Sequence, residues 1–291
     1  MRVLAQDLRS RLSGAAVVQA MAAHSPLSAR LAEEAGFDAL WASGFELSAL
    51  YGLPDASLIS MTQHLDMVRA IAGQTCLPIV ADIDTGYGNA VNVMHVVQEY
   101  ERAGADAVVI EDKTFPKCTS LLSGGRQDLV RIEEFQGKLE AALAARFSTD
   151  FLVIARTEAL IAGLGERIAL IRARAYEEAG ADLILVHSKS RSPDEIESFV
   201  RAWKGHTPLV LVPTAYPQLT VERIEALGKV RMVIYANHAL RAAITAMKSV
   251  FRRIRADGGI HKVDQDIVSV EEIFRLQRMD AVKAAEERYL R

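Results

Sequence analysis

The chain has little cysteine: only Cys76 and Cys118 among its 291 residues. Two cysteines cannot build a disulfide framework, and no Cys-x-x-Cys pair opens a zinc site. It has no apolar run approaching the roughly 18 residues that a membrane helix needs. It also lacks an excess of positive charge. The formal net charge is −3, which gives no electrostatic footprint for nucleic acid or an anionic bilayer. The opening stretch MRVLAQDLRSRL is charged and amphipathic, with no apolar signal core behind it. The expectation is a reduced, cytoplasmic, globular protein with no nucleic-acid or membrane partner.

What recurs instead is a series of short apolar runs: AAVVQA (15–20), ALWAS (39–43), PIVADID (78–84), AVVIED (107–112), FLVIART (151–157), LILVHS (183–188), PLVLVPT (208–214) and MVIYAN (232–237). Their length and their Val, Ile and Leu content suit strands buried on both faces. Helical patterns lie between them. RLAEEAGFD (30–38), HVVQEYERAGAD (95–106) and RARAYEEAGAD (172–182) share one ending, in which Ala-Gly stops a helix just before a strand. Ser192-Pro193-Asp194-Glu195 reads as a capping box opening another helix. Alternating strand and helix signals over roughly 250 residues predict a (β/α)8 barrel. A doubly wound open sheet is the alternative, but it would want a glycine fingerprint that AAVVQAMAAHS lacks. No linker or break in composition appears, so one domain over 1–291 is expected. A further segment, 269–291, opens at Ser269 and carries an apolar stripe at Ile273, Leu276, Met279 and Val282. The barrel is complete before it, so this stripe must be buried on the barrel or on another subunit.

Chemistry in such a barrel sits at the C-terminal ends of the strands. There the sequence places Trp41, Ser43 and Gly44, then Asp82 and Asp84, Glu111, Arg156, His187, Thr214 and Asn237, with Asp55 in the loop after the second strand. Residues two apart in a strand share a face, so Asp82 and Asp84 should point the same way, with Glu111 on the next strand. Carboxylates so crowded suit a hard divalent cation, and Mg²⁺ prefers few carboxylates plus waters and substrate oxygens. Arg156 ends an apolar strand and needs an anion, either a substrate group or a structural partner such as Glu158. His187 ends the adjacent strand, as a core residue or a functional one. Divalent metal, guanidinium, imidazole and the Ser43-Gly44 amides together suit a small, doubly anionic substrate whose reaction develops oxyanion character. A 2-oxo acid fits that description.

One loop stands out. After Glu111-Asp112-Lys113 come Lys117, Cys118, Thr119 and Ser120, closed by Gly124-Gly125. The cysteine invites a nucleophilic reading, with Lys117 as the cation that would favour thiolate.

Together the stretches ARLAEEAGFDALWASG, YGLPDAS, DIDTGYGN, EDKTFPK, IARTEALIAG, VHSK, LVPTAYPQLT, YANHALRA and VSVEEIFRLQ resemble, in order, the phosphoenolpyruvate mutase and isocitrate lyase superfamily over nearly the whole chain. The resemblance implies a metal-dependent barrel whose last helix is swapped between subunits of a dimer, usually within a tetramer. It implies that Asp82 contacts Mg²⁺ (Mn²⁺ or Co²⁺ being alternatives), with Asp55, Asp84 and Glu111 acting directly or through waters. Trp41, Ser43 and Gly44 would hold the carboxylate and oxo group, Arg156 and His187 would meet a phosphonyl group, and 117–125 would be a lid with Gly124-Gly125 as hinges. Lyases of the superfamily carry Lys-Cys-Gly-His in this loop. Here Thr119-Ser120 follows Cys118, which demotes the thiol. Mutases resemble Lys-Thr-Asn-Ser, so Thr119 stands where an asparagine would grip the phosphoryl group. A hydroxyl there can orient a water or attack directly. The resemblance thus implies hydrolysis of the carbon–phosphorus bond of phosphonopyruvate, with Lys117, Thr119, Arg156 and His187 catalytic and Ser120 at the substrate. Mutase chemistry is the alternative. Arg156-Thr157-Glu158 departs from the Arg-Val-Glu that the resemblance leads one to expect.

Overall fold

A computed structural model describes residues 7–290. Eight parallel strands close into one barrel in chain order: β1 (Val18–Ala23), β2 (Ala39–Ala42), β3 (Ile79–Asp82), β4 (Ala107–Glu111), β5 (Leu152–Thr157), β6 (Leu183–Val186), β7 (Leu209–Leu211) and β8 (Val230–Tyr235). Six strands fall within the expected runs, and β8 begins and ends two residues before MVIYAN. β1 starts three residues later than AAVVQA, because Ala15 and Ala16 are exposed and the buried alternation begins only at Val17. The three Ala-Gly endings hold as expected. Gly36, Gly104 and Gly180 all take a left-handed φ near +90° (+84°, +92° and +91°), the conformation that ends a helix at low cost only for glycine.

Alternation along the strands divides the apolar residues into two cores. Ala20, Ala22, Trp41, Val80, Val109, Ile154, Leu185, Val210 and Ile234 fill the barrel. Leu40, Ala81, Val108, Ile110, Val153 and Ile184 face the surrounding helices. The parity of the inner set decides the site. Carried two residues onward, it points Ser43, Asp82, Glu111, Arg156, His187 and Val212 toward the barrel mouth. The opposite parity sends Asp112 and Thr157 outward. There Asp112 accepts from Thr157 Oγ1 (3.1 Å), Arg172 Nη1 (3.0 Å) and Tyr176 Oη (2.6 Å). The threonine that departs from the family pattern is therefore satisfied by Asp112.

Two local expectations are corrected. The helix after β6 runs Asp194–Ala202 with Pro193 at its cap and no side-chain cap. Ser192 bonds instead to Asp194, and Glu195 is taken by the Ser188 hydroxyl, so the reciprocal box does not form. The C-terminal stripe is also not one helix. Ser269 caps Val270–Leu276, and Arg278 in a left-handed conformation (φ +57°) separates it from Met279–Tyr289. The chain divides into two compact units, the barrel up to Asn237 and a helical unit from His238. The latter holds the 20-residue helix His238–Asp257 and the two short helices, with Arg253 paired to Asp266 at 2.6 Å. No helix among the described residues is long and apolar enough to cross a membrane.

Candidate active site

One cavity at the barrel mouth, of about 140 Å³, is lined by Trp41, Ser43, Asp55, Asp82, Lys117, Thr119, Ser120, Arg156 and His187, all read as site residues from sequence. That volume suits a small organic acid rather than a polymer. Gly44, Asp84 and Glu111 do not line it but touch residues that do. A Cβ on Gly44 would lie 3.3 Å from both Asp82 Oδ2 and Asp84 Oδ1, so glycine lets the helix Gly44–Leu50 start close against the two acids. Ser43 caps that helix, its Oγ accepting from the Glu46 N–H at 3.1 Å.

The acids converge by a different route from strand alternation. β3 ends at Asp82, and Asp84 takes a left-handed φ of +50°, so a turn folds the second carboxylate back toward the first. Lys117 reaches into this group from the loop, 2.6 Å from Asp84 Oδ1 and 2.9 Å from Asp55 Oδ1. Burial opposes its charge, but Asp84, Asp82, Glu111 and Asp55 hold its pKa well above that of an ordinary lysine. Burial pushes Glu111 up to about 7, against the pull of Arg156 and Lys117.

On the opposite side lies a dense buried network. Glu158 is fully buried. Its Oε1 accepts from Arg156 Nε (2.7 Å) and lies 3.2 Å from His187 Nδ1. Its Oε2 accepts from Ser120 Oγ (2.5 Å) and lies 3.0 Å from Lys113 Nζ. Arg156 Nη2 donates to Ser120 Oγ (2.9 Å) and approaches His187 Nδ1 (3.0 Å), and Nε stands 3.4 Å from Glu111 Oε2. Both readings of Arg156 thus hold in part: Glu158 is its ion-pair partner, yet the residue still lines the cavity. Burial would raise the Glu158 pKa, but Arg156, His187 and Lys113 hold it well below the usual range. Burial lowers the His187 pKa, against the pull of the Glu158 carboxylate.

Four buried polar atoms here have no hydrogen-bond partner among the described residues: Glu111 Oε1, His187 Nε2, Thr214 Oγ1 and Asn237 Oδ1. Leaving such groups unsatisfied costs roughly 1–3 kcal/mol each, so a cavity that gathers them is shaped for a polar occupant. Sequence reading placed Thr214 and Asn237 at strand ends without a role. It assigned none to Lys113, and it missed the lining residues Phe45, Leu121 and Val212. Val212 was within reach, since it lies two residues beyond the inward Val210.

The donors suit a hard cation. Five acids (Asp55, Asp82, Asp84, Glu111, Glu158) stand against three bases (Lys113, Lys117, Arg156), an excess of two negative charges when all are ionised. Among the described residues no three of His, Cys, Asp and Glu converge as a ready ligand set. A hard cation such as Mg²⁺ takes one or two carboxylates and completes its shell with water and substrate, so it does not require such a set.

The phosphoenolpyruvate phosphomutase family model matches residues 8–255. The chain is 61% identical over 286 residues to a phosphonopyruvate hydrolase of Variovorax sp. (strain Pal2), covering 98% of this chain and 99% of that one. It is 44% identical over 270 residues to a phosphoenolpyruvate phosphomutase of Tetrahymena pyriformis, covering 93% and 90%. A crystal structure of phosphonopyruvate hydrolase in complex with oxalate and Mg²⁺ matches with a TM-score of 0.93 and 60% identity over 98% of each chain. By these matches the chain belongs to the phosphoenolpyruvate phosphomutase family.

Proposed function

We propose that this protein hydrolyses the carbon–phosphorus bond of phosphonopyruvate to pyruvate and phosphate. The observation that carries the reading is Thr119. It lines the cavity from the loop after β4, its backbone carbonyl is held by Gln127 Nε2 at 3.1 Å, and its hydroxyl has no partner among the described residues. The high identity to a phosphonopyruvate hydrolase supports the same conclusion.

Asp82, with Asp55, Asp84 and Glu111 behind it, would hold Mg²⁺. The ion would supply Lewis-acid stabilisation of negative charge on the 2-oxo oxygen. Asp82 suits this role because its Oδ2 has no partner among the described residues, its Oδ1 accepting only the Asp84 N–H. Trp41, Ser43 and Gly44 border the pyruvyl end. Arg156 and His187 face the phosphonyl end. The guanidinium, fixed by Glu158 and Ser120, keeps Nη1 without a partner among the described residues. Thr119 delivers the oxygen nucleophile, its own hydroxyl or a water it orients. A phosphorus–oxygen bond forms, the carbon–phosphorus bond breaks, and its electron pair becomes the enolate of pyruvate. The proton that the attacking O–H gives up goes to the enolate carbon and completes pyruvate. Where the Thr119 hydroxyl is the nucleophile, a water then hydrolyses the phosphothreonine to free phosphate. Lys117 tethers the loop to Asp55 and Asp84, so the loop's closed position and the acid cluster are linked.

The exposed apolar residues Phe251, Ile273, Phe274 and Val282 of the helical unit support association of copies through the C-terminal helices, as dimers or dimers of dimers. Light scattering of the full chain tests this. The catalytic test is incubation with phosphonopyruvate and Mg²⁺. Phosphate and pyruvate should appear together, whereas phosphoenolpyruvate without phosphate would make the protein a mutase.

A further inference from the structure

Lys113 lies two residues beyond β4, and its side chain is 1% exposed. A buried ammonium is costly unless its three donors are met. Here all three are: by the Cys118 carbonyl at 2.7 Å, by Ser120 Oγ at 2.8 Å and by Glu158 Oε2 at 3.0 Å. Balancing Glu158 does not require this lysine, because Arg156 already bonds that carboxylate at 2.7 Å. Two of the three acceptors belong instead to the loop, and they flank Thr119 on both sides. The backbone agrees. Lys113 pairs with Leu129 in an antiparallel bridge, and the Thr114 N–H donates to the Asp128 carbonyl at 3.0 Å, closing the loop at its base. Ser120 completes the link. Its Oγ receives from Lys113 and from Arg156 and donates to Glu158.

We infer that Lys113 is a positioning residue that latches the 117–120 loop onto the barrel and sets Thr119 at the cavity. Because Ser120 is also a partner of Arg156, seating the loop and fixing the guanidinium become one event. The inference rests on Thr119 as the residue that delivers the nucleophile, but the latch itself can be read without turnover. Cys118 is the reporter: it is half-buried, and a Cβ on Gly125 would lie 2.5 Å from its Sγ, so the closed loop packs tightly around it.

The experiment uses the full chain with Cys76→Ser, so that a thiol reagent such as 5,5′-dithiobis(2-nitrobenzoate) reads Cys118 alone. Lys113→Met should raise the rate of Cys118 labelling by about tenfold or more, since labelling follows opening of the loop. Added oxalate and Mg²⁺ should slow labelling in the parent and leave Lys113→Met little changed. In turnover, kcat should fall by about tenfold or more with a smaller rise in KM, because the variant displaces the nucleophile-delivering residue rather than the pyruvyl contacts. Folded Lys113→Met, checked by circular dichroism, whose Cys118 labels within about twofold of the parent overturns the latch. Should Lys113→Met fail to fold, Ser120→Ala removes one hydroxyl from the same link, and unchanged labelling there overturns it equally. A parent that releases no phosphate, while Lys113→Met still exposes Cys118, sinks the functional reading and supports the latch.

Discussion

Replacing Glu158 by Gln removes one charge from the centre of the buried network and almost nothing from its shape. Glu158 serves two sets of donors, Arg156 and His187 on Oε1, Ser120 and Lys113 on Oε2. An amide has one oxygen and one NH₂, so in either orientation the NH₂ confronts one set and that set loses its acceptor. Taking one partner from a buried ion pair costs roughly 3–5 kcal/mol. Arg156 retains Glu111 Oε2 at 3.4 Å, which places the expected loss at the lower end, about 3 kcal/mol. That is roughly a hundredfold in the folding equilibrium. Catalysis should suffer as well. Where the NH₂ faces Arg156 the guanidinium loses its 2.7 Å anchor, and where it faces Ser120 and Lys113 the loop loses its own. Misplacement of a positioning group by about 1 Å costs on the order of a hundredfold in rate. His187 also loses the carboxylate that opposes its burial, so its pKa should fall further. Urea unfolding followed by fluorescence reads the first effect, and phosphate release from phosphonopyruvate reads the second. A Glu158→Gln protein with the parent's unfolding midpoint and kcat/KM would refute the reasoning, because Arg156 would then be held by something other than this carboxylate.

Thr119→Asn should cut phosphate release by about a hundredfold; unchanged hydrolysis would remove Thr119 from the mechanism, and newly formed phosphoenolpyruvate would show that this residue separates hydrolase from mutase. Chelation with EDTA should abolish turnover and added Mg²⁺ restore it. Mg²⁺ should also raise the melting temperature of the parent but not of Asp82→Ala, since a ligand stabilises only the state that binds it. Stability should depend on pH through His64 and His187, whose pKa values burial holds below the ordinary 6.5. Between the folded value and 6.5 the unfolded chain binds protons that the folded chain does not. Stability is therefore full above 6.5 and falls as the pH drops below it, by at most about 1.4 kcal/mol per pH unit for each histidine. Glu111, raised from 4.5 to about 7, acts in the opposite sense, its stabilisation being lost as the pH rises through that range. Melting curves from about pH 8 to about pH 5.5 are therefore taken in Glu111→Gln, where a flat profile would count against the buried imidazoles.

Much of the architecture was written in amino-acid order. Runs such as AVVIED and FLVIART could satisfy both faces only as buried strands, and the Ala-Gly endings stopped three helices where the left-handed conformation is available to glycine. Strand parity also followed from order alone. Once Val109, Ile154 and Leu185 face inward, Glu111, Arg156 and His187 must follow two residues later. What order could not supply was contact across the barrel. Ser120 meets Glu158 from 38 residues away, Lys117 meets Asp55 of the connection after β2, and Lys113 finds its three acceptors only once the loop has folded back over its own strand. The left-handed turn at Asp84 and the break at Arg278 likewise depend on surroundings rather than pattern, because both residues accept that conformation only when their neighbours require it. By itself the sequence determined the barrel and which side chains reach its mouth, because both depend on local periodicity. Tertiary structure alone decided how those side chains share their charges and protons, because that depends on distances between strands and loops far apart in the chain.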